Sequence, residues 1–143
     1  MTSPVATSRW VKWGFGTVTV LMTLNLIAAV ARFQVEGLFW DQWVYCQPLF
    51  REDWTFLDLF MQQLGPHRQG VAFVLTAPLM ALAGWDTRIE GLWIVGWLVV
   101  AAVMALVWKY RLTGRLGWED LWLPLALLSV RQFETIFVVP NLS

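Results

Sequence analysis

The segment GLWIVGWLVVAAVMALVW, residues 91–108, runs for 18 positions without a charged side chain. A helix over it is about 27 Å long at 1.5 Å per residue, close to the roughly 30 Å hydrocarbon thickness of a bilayer. A second run, WGFGTVTVLMTLNLIAAVA, is uncharged for 19 positions over residues 13–31. Hydrophobic residues make up 58% of the 143 and charged residues 14%, against about a quarter charged in soluble domains. A soluble domain of this size has little core in which to hide two such segments. The composition therefore reads as an all-α integral membrane protein.

The tryptophans agree. Trp10 and Trp13 open the first run, Trp93 and Trp108 lie near the ends of the second, and Trp118 and Trp122 open a third apolar stretch. Indole rings favour the headgroup level, where an apolar body and one N–H donor are both accommodated. The formal net charge is zero, so no global basic field points to nucleic acid. The single cysteine, Cys46, has no partner for an internal disulfide or a CxxC metal site, and it is assigned no role. Arg9 and Lys12 ahead of an apolar run ending Ala29-Val30-Ala31 imitate a signal peptide. The run exceeds the 7–15 residues of a signal core, and further apolar segments follow. It reads as an uncleaved first helix.

Charge decides the topology. Were 13–31, 69–85 and 91–108 all to span from an inside N-terminus, Lys109, Arg111 and Arg115 would join Arg32, Arg51 and Arg68 outside, against the positive-inside bias. The weakest span is the middle one, because Gly70 to Gly84 is only 15 residues and carries Pro78. With that segment half-embedded on the outer face, Arg9, Lys12, Lys109, Arg111 and Arg115 lie inside, against Arg32, Arg51, Arg68 and Arg88 outside. The preferred architecture has three transmembrane helices, about 13–31, 91–109 and 120–139, and a juxtamembrane helix at about 69–84. Four transmembrane helices are the alternative. The N-terminus is then cytoplasmic and residues 32–90 form an outer-face loop. Within it, Asp53 is a candidate N-cap for a short surface helix over 53–64, with Trp54, Leu57, Phe60, Met61 and Leu64 at i, i+3, i+4 spacing as the apolar face and Asp58 opposite.

The stretch 32–69 is where chemistry concentrates. It holds Glu36, Asp41, Glu52, Asp53, Asp58 and the sole histidine, His67. Asp41, in Phe39-Trp40-Asp41-Gln42-Trp43, is placed to ligate a divalent cation or to act as a general base near the headgroups; an N-cap or a solvated carboxylate is the plainer alternative. His67 and Arg68, at the expected start of the juxtamembrane helix, suit a phosphate, or simply mark where the apolar helix begins. Arg131, with Gln132 and Glu134 near the end of the last helix, forms a second polar group at the same face, read otherwise as an ion pair or a snorkelling end. No GxxxxGK[ST], GxGxxG, HExxH or GxSxG occurs, which disfavours nucleotide-driven pumps, zinc proteases and serine hydrolases.

The order of these features resembles the N-terminal part of bacterial polytopic glycosyltransferases of the GT-C class, the dolichyl-phosphate-mannose protein mannosyltransferase-like enzymes and their uncharacterised relatives. The likeness runs from an early loop Asp through Pro66-His67-Arg68, Leu82-Ala83-Gly84-Trp85-Asp86 and a basic turn to Ser129-Val130-Arg131-Gln132-Phe133-Glu134. It implies transfer of a sugar from a polyprenyl-phosphate-linked donor at the outer face of a bacterial inner membrane. Asp41 matches the catalytic acid of the first loop, His67 and Arg68 the His-Arg pair, and Gln132 and Glu134 the polar helix end. Gly65-Pro66 stands where the relatives carry Asn-Glu, and Val130 where they carry proline. Such enzymes are several times longer, so the resemblance also implies a fragment with an incomplete site. The competing reading is a non-catalytic membrane protein whose Trp-rich loop binds another subunit or lipid headgroups. A transporter would favour charges within spans and inverted halves, which the sequence lacks.

Overall fold

The computed structural model describes residues 9–34, 43, 46–61, 63–64, 67–68 and 70–132. Among them lie helices α1 (Arg9–Phe33), α2 (Phe56–Met61), α3 (Gly70–Leu82), α4 (Thr87–Thr113) and α5 (Trp122–Leu127). Turns of 3₁₀ helix occupy Gln47–Phe50, Trp118–Leu121 and Val130–Gln132, and Gln63–Leu64 (β1) pairs antiparallel with His67–Arg68 (β2).

Helices α1 and α4, of 25 and 27 residues, are long and apolar enough to cross a membrane. Only 17% and 22% of their most apolar stretches are buried inside the molecule, so side chains such as Leu21, Leu24, Trp97 and Met104 stand exposed. A helix in the core of a soluble protein hides such residues. Inside α1 the Thr23 hydroxyl donates to the Thr19 carbonyl at 2.8 Å, which satisfies a polar group without help from water. Helix α4 is bounded by local chemistry. Asp86 caps its start, its carboxylate accepting the Arg88 N–H at 2.9 Å, and Lys109 and Arg111 lie towards its C-terminus, where the macrodipole favours cations. Gly114, with φ +70°, ends it, its N–H bonding the Tyr110 carbonyl at 2.8 Å.

Helix α3 covers most of the segment expected at 69–84. Its 13 residues span about 20 Å, short of the hydrocarbon thickness. It closes through Gly84 at φ +65° and Trp85 at φ +67°, with the Trp85 N–H on the Met80 carbonyl at 2.9 Å. A left-handed tryptophan costs roughly 1–2 kcal/mol. Its ring packs on Phe50 with centroids 4.8 Å apart, a contact that holds the conformation.

The chain divides into two compact units, residues 9–29 with 94–132, and residues 30–93. In the first, the turn Trp118–Leu121 ties two helices together. The Trp118 ring lies on Gly14 of α1, so closely that a Cβ there would come within 2.6 Å of it. On the other side Asp120, buried, meets Lys109 of α4 at 3.2 Å and accepts the Gly117 N–H at 3.0 Å. The Gly117 N–H, with help from Lys109, holds the Asp120 carboxyl below its ordinary value. The third span expected at about 120–139 is not one helix within the described residues. Helix α5 stops at Leu127, and the Ser129 hydroxyl accepts the Arg131 N–H at 3.2 Å, a local bond that competes with helical pairing. Residues 133–139 of that expectation lie outside the described residues.

In the second unit a small core forms from Leu59 of α2 and Phe73 and Ala77 of α3, with Leu49, Trp54 and Val74 against it. One local expectation changes here. The N-cap of α2 is Thr55, not Asp53. The Asp58 carboxylate accepts both the Thr55 N–H and its hydroxyl at 2.7 Å, while the Thr55 hydroxyl accepts the Asp58 N–H at 3.3 Å. This reciprocal box satisfies donors that one Asp53 side chain could not, and Asp53 pairs instead with Arg51 at 3.3 Å. The buried residue of α2 is Leu59, fully enclosed, whereas Phe56, Leu57, Phe60 and Met61 stay exposed. Of the expected stripe, Leu57, Phe60 and Met61 are thus exposed, while Trp54 packs against the core.

Candidate functional site

The residues expected to carry chemistry are only partly within view. Asp41 and Glu134 lie outside the described residues, and His67, Arg68 and Gln132 are described in their backbone alone. His67 and Arg68 do not open α3 as expected. They form β2, with His67 opposite Leu64 and Arg68 opposite Gln63, and the helix begins at Gly70. Extended, paired backbone replaces the helical N–H groups that a phosphate at that position would have used. Arg131 is exposed in the 3₁₀ turn that follows α5.

The described residues instead bring together a polar group around the start of α4. Thr87 and Glu90 are one turn apart and buried, with 1% and 5% of their surfaces exposed. Gly91 beside them lets α1 approach, since a Cβ there would lie 3.0 Å from the Val30 side chain. The Gln34 amide oxygen, buried, is 3.8 Å from the same point. Cys46, also buried, stands close enough to Glu90 to feel its charge. Burial foremost, and that carboxylate second, push the Cys46 thiol up to about 12. The thiol is protonated at neutral pH and therefore weakly reactive. Glu90 sits in the first turn of a 27-residue helix, where the macrodipole favours negative charge.

The same unit also presents aromatic rings. Phe50 stacks on exposed Trp43 with centroids 6.2 Å apart and leans on Trp85 on its other side. Trp43 is 58% and Phe50 54% exposed, so the pair presents aromatic surface outward. Exposed aromatic surface of this kind suits the apolar side of a sugar or an isoprenoid chain.

The sequence reading does not single out Glu90. The signal was periodic. Thr87, Glu90, Gly91, Ile94 and Val95 recur at i, i+3, i+4, i+7, i+8, the spacing of one packed helix face, and all five are buried. Among the described residues no three His, Cys, Asp or Glu side chains are grouped to hold a metal ion. Compared with models of known protein families, with curated proteins and with solved structures, the chain matches none.

Proposed function

We propose that this chain is a membrane-embedded module of a glycosyltransferase that uses a polyprenyl-phosphate-linked sugar at the outer face of a bacterial inner membrane. In this reading α1 and α4 cross the bilayer with the N-terminus cytoplasmic. A third passage begins beyond Asp120, and the unit of residues 30–93 forms a layer at the outer headgroups. The observation that carries the proposal is the exposed, stacked Trp43–Phe50 pair, aromatic surface suited to a sugar at an interface. The lengths of α1 and α4 and their largely exposed apolar surfaces support the membrane placement.

In the proposed division of labour Asp41, two residues before Trp43, accepts the proton of the acceptor hydroxyl or holds a divalent cation. His67 and Arg68 neutralise the leaving phosphate. Membrane lipid surrounds the module, and the lipid-phosphate sugar is its ligand.

The test is binding of a short-chain polyprenyl-phosphate sugar to the chain in lipid nanodiscs, read by quenching of tryptophan emission. Saturable quenching is expected, weakened at least tenfold by Trp43→Ala. In the full-length protein Asp41→Asn should cut transfer of labelled sugar by about 10²–10⁴. Quenching that never saturates, or that Trp43→Ala leaves unchanged, would assign the loop to partner or headgroup binding instead.

A further inference from the structure

We propose that the Lys109 end of α4 is a binding site for one anionic diacyl phospholipid, with the phosphate at Arg111 and an acyl chain on each side of Trp108. The inference rests on the membrane placement above but not on glycosyl transfer.

Two open clefts flank Trp108. The larger, about 610 Å³, is walled by Trp108, Leu112, Trp122 and Leu123, with Lys109 and Asp120 at its polar end. The smaller, about 330 Å³, is walled by Met104, Val107, Trp108 and Arg111. Met104 and Trp108 line both, so the two apolar clefts adjoin at the indole. A ligand with two tails joined at one polar head matches that shape; a single-chain ligand leaves one channel empty.

Charge selects the head. Lys109 is committed to Asp120 at 3.2 Å, and Arg115 lies close enough to add to the pull on that carboxylate. Arg111 lines the smaller cleft with its side chain exposed. Around it, Arg9, Lys12, Lys109, Arg111 and Arg115 against Glu119 and Asp120 give five positive and two negative charges, net +3. These groups share one end of the first unit, because Trp118 packs on Gly14 of α1 while Asp120 pairs with Lys109 of α4. A guanidinium at a helix end with a neighbouring indole suits a phosphate at headgroup depth, and basic pockets on the cytoplasmic side favour anionic lipids.

The test is native mass spectrometry of the protein released from nanodiscs of equal phosphatidylglycerol and phosphatidylcholine with matched chains. One retained phosphatidylglycerol is expected, preferred at least tenfold over phosphatidylcholine. Arg111→Gln should abolish the preference, and Trp108→Ala should lower retention of both lipids. Arg51→Gln, which removes a basic residue of the other unit, should change nothing, and millimolar inorganic phosphate should displace no lipid. Equal retention of the two lipids, a preference that survives Arg111→Gln, or an equal loss in Arg51→Gln would overturn the site. Failure of the protein to enter nanodiscs at all would overturn the membrane placement instead.

Discussion

Alkylation of Cys46 reads out the packing of the second unit directly, because this is the only thiol in the chain and it is buried. Its ionisation moves from 9.0 to about 12, chiefly through burial and further through Glu90. Three units lower the reactive thiolate about 1,000-fold at any pH below 9. Part of that returns, because a more basic thiolate is a better nucleophile; a Brønsted slope of about 0.4–0.5 restores roughly 15–30-fold. The net expectation is a native rate roughly 30–60-fold below that of the denatured chain, before any steric shielding. The assay is iodoacetamide labelling followed by intact mass from pH 7 to 10.5, in mild detergent and in denaturing detergent. The denatured profile should level off near pH 9, while the native one keeps rising. Glu90→Gln removes only the smaller cause, so it should speed labelling yet leave it well below the denatured rate. The sign for stability follows from the same shift. The unfolded thiol releases its proton first, so the contribution is complete below pH 9 and is lost as pH rises from 9 towards 12. A native rate within threefold of the denatured rate at pH 7.5 would refute the burial of Cys46 against Glu90.

Two glycine substitutions should act in opposite directions. At Gly70 a Cβ would run into the Phe60 carbonyl oxygen, with the carbonyl carbon at 2.9 Å, so Gly70→Ala should cost about 1–3 kcal/mol in thermal unfolding followed by tryptophan emission. At Gly96 nothing lies within 4 Å, and Gly96→Ala should gain about 0.5–1 kcal/mol from helix propensity. Lys109→Met strands the Asp120 carboxylate on one N–H donor and should cost about 1–2 kcal/mol in the same assay, while Lys109→Arg should cost less. The Thr55 hydroxyl and N–H hold Asp58 below 3.8, so the cap of α2 is intact above that pH and is lost as pH falls through the depressed folded value. Protection of the Leu59 and Phe60 amides, taken relative to their intrinsic exchange at each pH, should therefore fall in acid and in Asp58→Ala.

The two long helices were legible because span length is written along the chain. Eighteen or nineteen consecutive uncharged residues force a helix of near-bilayer length whatever the neighbours do, and α1 and α4 extend those runs by about a turn or more at most of their ends. Helix α3 was legible from the apolar run Gly70 to Gly84, whose 15 residues with Pro78 inside point to a helix too short to span, and the helix observed has 13. Capping was half legible. Both Asp53 and Thr55 are good N-caps by type, and only the meeting of Thr55 with Asp58 three residues on decides between them.

What the chain does not write locally is which face of each helix finds a partner. Leu59 is enclosed because Phe73 and Ala77, more than a dozen residues later, cover it, and Leu57, Phe60 and Met61 are left outside. Glu90 reads as a boundary charge until Val30, Gln34 and Cys46 close around its turn of α4. Asp120 reads as an ordinary acid near the start of an expected helix until Lys109 meets it across a turn. Hydrophobic length is a sum over neighbours in sequence. The burial of a charge is set by contacts between residues far apart in the chain, and those exist only once the helices have packed.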